Sequence, residues 1–122
     1  MIKVQLEYVI NCSPKVLYNR LSSASGLAEW FADDVRVQGK RYTFIWGGSE
    51  QTAEMTLRKE NRLVRFAWID DEEKYFEFKI SQDELTGDVA LIVVDCSEED
   101  EVEETRELWN TQIADLKHIL GS

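Results

Sequence analysis

His118 is the only histidine in the chain, and Cys12 and Cys96 are the only cysteines. These are the side chains from which nucleophilic or general-base chemistry would first be built. His118 lies in the last helical pattern of the sequence. At about 100° per residue it points opposite Trp109, toward solvent and away from any interior cavity. No histidine is placed to activate Cys12, which follows the first strand pattern. The two cysteines have neither CxxC nor metal-ligand spacing. Carboxylates are plentiful, but Asp33-Asp34, Asp70-Asp71 and the acidic run at 98–104 fall in turns or at helix ends, where turn and cap chemistry accounts for them. Phosphate-loop and dinucleotide glycine patterns are absent. The residues thus supply no catalytic constellation, no metal site and no cofactor motif. Tyr8 and Tyr42 face inward by alternation, and their hydroxyls are candidates for fixing the polar end of a ligand or for pairing within the protein. Arg58 and Arg65 fall on outward-facing strand positions.

The elements that must position these groups follow from periodicity. Val4, Leu6, Tyr8 and Ile10 alternate with Lys3, Gln5 and Glu7, giving a half-buried strand. Ser13-Pro14 begins a short helix, with serine as cap and proline at the first helical position. Ser25-Gly26 opens a second, with Leu27, Trp30 and Phe31 on one face and Asp33-Asp34 closing it. From there to about residue 96 the chain reads as strands. Val35 and Val37 mark the first, followed by Tyr42, Phe44 and Trp46, then Ala53, Met55 and Leu57. Val64, Phe66 and Trp68 follow, then Phe76, Phe78 and Ile80, and finally Val89 to Val94. Gly39-Lys40, Gly47-Gly48, Glu60-Asn61, the charged residues 70–73 and Thr86-Gly87-Asp88 supply the turns. Short turns between neighbours imply an antiparallel meander. Ser97 caps a final helix with an acid-rich first turn, suited to the macrodipole, and a stripe of Val102, Trp109, Ile113, Leu116 and Leu120 ended by Gly121. That helix is the only element large enough to cover the sheet.

Composition bounds the function. A chain of 122 residues with 43% hydrophobic and 31% charged residues is read as one globular domain, 1–122. Its net charge of −10 disfavours bare nucleic acid and anionic membrane surfaces, and leaves a protein partner with a basic surface as the charged alternative to simple solubility. The strand-like N-terminus reads as neither signal peptide nor membrane span. Free thiols suit a reducing, cytoplasmic setting.

The layout resembles the START-like (SRPBCC, Bet v-type) superfamily, and within it small bacterial START-like proteins related to heat-shock chaperone ATPase activators. The resemblance rests on Ser13-Pro14-Lys15-Val16-Leu17-Tyr18 entering the first helix, Leu27-Ala28-Glu29-Trp30-Phe31 in the second, Trp109 in the last, and the element order along nearly the whole chain. It implies an α+β helix-grip fold: a curved antiparallel sheet of about seven strands, β-α-α-β6-α, wrapped around the C-terminal helix. It implies a non-enzymatic module holding a small apolar, lipid-like ligand between sheet and helix, with two other readings: a co-chaperone-like interaction domain, and a cyclase- or hydrolase-like enzyme. Candidate cavity residues are Phe44, Trp46, Met55, Phe66, Trp68, Phe76, Phe78, Trp109 and Ile113, with Trp30 and Phe31 at one end as plug or rim. The alternative is that these side chains are plain core. In the family topology the first and last strands pair, which sets Cys12 and Cys96 more than about 20 Å apart, too far for a disulfide. Val89 to Val94 is apolar on both faces. With Val9 and Ile69 it forms either an outward patch, suited to a homodimer through the outer sheet face, or an ordinary central strand.

Overall fold

The computed structural model describes residues 1–71 and 73–121. Glu72, part of the charged turn expected at 70–73, lies outside the described residues. The chain runs β1 (Ile2–Ile10), α1 (Pro14–Ser22), α2 (Ala24–Leu27), β2 (Asp34–Gln38), β3 (Arg41–Trp46), β4 (Ser49–Lys59), β5 (Leu63–Trp68), β6 (Tyr75–Gln82), β7 (Val89–Ser97) and α3 (Val102–Leu120). The seven strands form one antiparallel sheet in the order β1-β7-β6-β5-β4-β3-β2. Only the β1–β7 pairing is non-local. It joins Ile10 to Val89 and Lys3 to Cys96, and it makes β7 an interior strand. The helix-grip α+β architecture is therefore the one expected, and both cysteines are free thiols.

Alternation directs the core. Val4 and Ile10 of β1, Phe44, Ala53, Phe66, Phe76, Phe78, Leu91 and Val93 are buried on the concave face, and α3 sets Trp109, Ile113 and Leu116 against them. The α1 start is as the sequence implies: Ser13 Oγ accepts from the Val16 N–H at 3.2 Å and Pro14 occupies the first turn.

Three local expectations are corrected. First, α2 is a single turn. The Ser23 hydroxyl, not Ser25, caps it, and Trp30 and Phe31 lie beyond it in a string of tight turns closing on the Gly26 and Leu27 carbonyls. Asp33 consequently caps no helix; its Oδ2 accepts from the Gly47 N–H at 2.7 Å. Gly26 is what lets α2 pack on α1, since a Cβ there would lie 2.4 Å from the Asn19 carbonyl oxygen. Second, a bulge between Met55 and Leu57 reverses the alternation of β4. Leu57 then pairs with Arg65 and is exposed, while Arg58 pairs with the buried Val64 on the concave side. Third, Ser97 does not cap α3. A short 3-10 turn, Glu99–Glu101, intervenes, and the Ser97 hydroxyl donates to the Glu98 carbonyl while accepting from Thr105 Oγ1. The acids Glu103 and Glu104 still occupy the first turn of α3.

The outer face of β7 is that of an ordinary central strand and is not bare. Val94 is buried between Gln5 and Glu77. Glu77 is itself only 2% exposed, held by Arg65 at 2.7 Å and Lys79 at 3.5 Å, and Arg65 stacks on Tyr75. Charged stems thus cover the apolar strand from outside. Val9 and Ile69 remain exposed. No helix among the described residues is long and apolar enough to cross a membrane.

Candidate functional site: an aromatic cleft with one carboxylate

A cleft of about 380 Å³ opens between the sheet and α3. Its walls are Phe31, Trp46, Trp68, Phe76 and Trp109. Each ring is placed by a different element: the turn after α2, then β3, β5, β6 and α3. The rings brace one another. Phe31 stacks on Trp109 at 5.9 Å between centroids and meets Trp46 and Phe76 at 5.3 Å. Trp68 and Phe76 lie 5.2 Å apart. Such pairs add about 0.5–1.5 kcal/mol each beyond burial and fix ring orientation. Gln51, Gln112 and the exposed Leu108 complete the lining toward solvent.

The two members of the Trp-Phe pair lie in different surroundings. Phe31 is wall, 5% exposed, and its carbonyl accepts from Trp46 Nε1 at 2.7 Å and Gln112 Nε2 at 3.4 Å. It lines both the cleft and a more open groove that includes Trp30, Asp115 and His118. Trp30 lies outside the cleft lining. It is buried, packs on Phe78 and donates its Nε1–H to the Arg20 carbonyl at 2.8 Å, tying the turn to α1. His118 is exposed at the end of that groove and does not reach the cleft.

Of the sequence-derived candidates, Phe31, Trp46, Trp68, Phe76 and Trp109 come together in the cleft, whereas Phe44, Met55, Phe66, Phe78 and Ile113 are buried core, as is Trp30. The two tyrosines are committed to protein partners: Tyr42 donates to the Ser22 carbonyl at 2.7 Å, and Tyr8 to Asn110 Oδ1 at 2.7 Å. Burial pushes both phenols, and the Cys12 thiol, above their ordinary pKa values, so none is a readily formed nucleophile. Arg58 lies at the opposite end of the concave face, beside Tyr18 and Tyr42. Among the described residues no cluster of His, Cys, Asp or Glu converges as a metal site would require.

The residue that the sequence reading missed is Asp95. Carboxylates were expected in turns and at helix ends, yet Asp95 sits in β7, cross-strand from Val4 and Phe76, on the interior side that continues Leu91 and Val93. Its Oδ2 accepts from Trp109 Nε1 at 2.8 Å and its Oδ1 from the Cys96 N–H at 2.7 Å. Burial raises its pKa above the ordinary aspartate value; those two hydrogen bonds and the more distant Lys74 oppose the rise. The available signal was parity: the apolar run Val89, Leu91, Val93 extends at period two onto position 95.

A seven-stranded antiparallel sheet gripping one long helix, with a ligand-sized cleft between them, is the START-like arrangement, and the START-like superfamily domain model matches residues 1–122. The chain belongs to the START-like superfamily. BfR322 from Bacteroides fragilis is 39% identical, with 98% of this chain and 90% of that one covered at a TM-score of 0.71. The Aha1 dimer from Colwellia psychrerythraea shares the fold at 18% identity, covering 96% and 94% of the two chains at a TM-score of 0.82. DynU16, from the dynemicin biosynthetic locus, does so at 14% identity and a TM-score of 0.82, covering 98% of this chain and 47% of its own. No curated protein is similar to the chain in sequence.

Proposed function

We propose that the protein is a non-catalytic binding module that holds a small, largely apolar ligand in the aromatic cleft between the sheet and α3. The observation that carries this reading is the cleft itself. Aromatic faces that would otherwise close on one another stand around about 380 Å³ of space, within the size range of small-molecule pockets. Taking about 30 Å³ as the share of one water-sized group, this is room for about a dozen non-hydrogen atoms. Membership of the START-like superfamily supports a ligand-binding type of fold. Binding rather than turnover is favoured because Asp95 is the one titratable group among the described lining residues, without a second acid, base or nucleophile beside it.

Native mass spectrometry of the purified protein, with and without small aromatic and alkyl probes, tests the reading. A one-to-one adduct that is lost on Trp68→Ala is expected. Failure of every apolar probe to bind, at concentrations well above micromolar, overturns it.

A further inference from the structure

We infer that the cleft selects an organic cation, an aryl- or alkyl-ammonium group, which seats against Asp95 and the indole faces. The inference rests on the proposed binding role of the cleft and names the class of ligand. Its basis is electrostatic. No Lys, Arg or His is among the described lining residues, so the charge of Asp95 is not neutralised from within the cleft. Lys74, the cation that reaches it electrostatically, lies outside the lining and 3.9 Å from Glu98. The two hydrogen bonds to Asp95 come from neutral N–H groups, and each carboxylate oxygen retains acceptor capacity.

The surrounding rings add to the same preference. The faces of Trp and Phe are negative, and a cation held over them in a partly dry site is attracted by the ring quadrupole. Trp46, Trp68 and Trp109 line the same cleft as this carboxylate. An anionic head group, such as a fatty acid's, would meet Asp95 and ring faces of the same sign. The net charge of −10 raises the local concentration of cations and lowers that of anions at the mouth. The lipid-like ligand expected from the fold is thereby narrowed: its head group is positively charged, with an apolar body against Phe31 and Phe76.

Three probes of equal heavy-atom count test this on the intact protein: para-hydroxyphenyltrimethylammonium, its neutral isostere para-tert-butylphenol, and anionic para-hydroxyphenylacetate. The readout is the indole N–H resonances in a nitrogen–proton correlation spectrum. Those of Trp46, Trp68 and Trp109 report the cleft, and that of Trp30, bonded to the Arg20 carbonyl outside it, is the control. The cation is expected to bind about tenfold or more tightly than its neutral isostere, the scale of a desolvated cation–π contact with a carboxylate beside it. The anion should bind least. Asp95→Asn, which keeps an acceptor oxygen for Trp109 Nε1, should bring cation and isostere to within about threefold. The wild-type comparison stands without the variant should it fold poorly. Equal or tighter binding of para-tert-butylphenol overturns the cation assignment and leaves the binding role intact. Absence of cleft shifts with all three probes overturns both.

Discussion

Trp109→Phe isolates the contact on which the cleft depends. The indole is 4% exposed, stacks on Phe31, packs edge-on to Phe78 at 5.6 Å and donates to Asp95 at 2.8 Å. Phenylalanine keeps a ring in the same place but removes the donor and the second fused ring. The missing volume, roughly 40 Å³, costs about 1 kcal/mol at ~24 cal/mol per Å³ of cavity. A hydrogen bond to a charged acceptor is worth about 1.5–3 kcal/mol. The lower end applies, because Asp95 borders an open cleft and water can replace the lost N–H. The expected loss is therefore about 2.5 kcal/mol, a large part of a typical domain stability of about 5–15 kcal/mol yet compatible with folding. Urea unfolding followed by far-ultraviolet circular dichroism should show a midpoint lowered by about 1–2 M at an unchanged slope. Asp95→Asn in the same background should couple to it by about 1 kcal/mol in a double-mutant cycle. A loss under about 0.5 kcal/mol, or zero coupling, would refute the claim that the indole holds the carboxylate in place.

Asp95 also sets a pH dependence of known sign. Its folded-state pKa is raised above 3.8 mainly by burial, so between 3.8 and that raised value the native state binds more protons than the unfolded chain. Its contribution is complete below 3.8 and is lost as pH rises through the folded pKa. The stability of Asp95→Asn minus that of wild type should therefore increase with pH across this window, the other carboxylates cancelling in the difference; a flat or falling difference contradicts the burial assignment. Gly26→Ala should destabilise by more than about 2 kcal/mol, because the new methyl meets α1 backbone that cannot yield as a side chain could. The displaced α2 should shift the Trp30 indole resonance through its bond to Arg20, and an unchanged melting temperature would show that the two helices are not in tight contact.

Most strands were legible because they carry a two-residue alternation between turn residues; β7 was legible instead as a short, continuously apolar run bounded by a turn, and a meander of hairpins leaves little freedom of order. The α1 start was legible from Ser13-Pro14. What escaped the sequence did so for identifiable reasons. The β4 bulge falls at Thr56 in the run Met55-Thr56-Leu57, with no glycine to mark it, and it alone decides that Arg58 rather than Leu57 is on the concave side. The length of α2 was overestimated because Leu27, Trp30 and Phe31 have helical spacing. That spacing is produced instead by tight turns in which the amides of Phe31 and Ala32 both donate to the Leu27 carbonyl. The division of the aromatics into cleft and core could not be read at all. Phe44, Phe66 and Phe76 have the same parity and chemistry, and only their position along the curved sheet relative to α3 leaves Phe76 beside free space.

The placement of Asp95 is the strongest reason to regard that space as a site rather than a packing defect. At the interior side of β7 an apolar residue would extend the Leu91–Val93 stripe at no electrostatic cost, whereas a half-buried carboxylate raises the free energy of the fold unless fully compensated. The compensation is partial: two neutral donors bind it, yet its pKa stays raised. Positions that break the local rule without a gain in stability are where function is expected to reside. The walls are meanwhile held independently of any occupant. The Phe31 carbonyl is bonded by Trp46 and Gln112, Trp109 is held by Asp95, and the turn carrying Phe31 is anchored through Trp30 to α1. A cleft braced in this way pays little ordering entropy when it is filled, so the proposed ligand can be small and still bind. The same bracing, in the proposed reading, holds Asp95 in the cleft lining before a ligand arrives. In the proposed reading, selectivity for a cation then arises from the folded protein's own electrostatics and requires no rearrangement on binding.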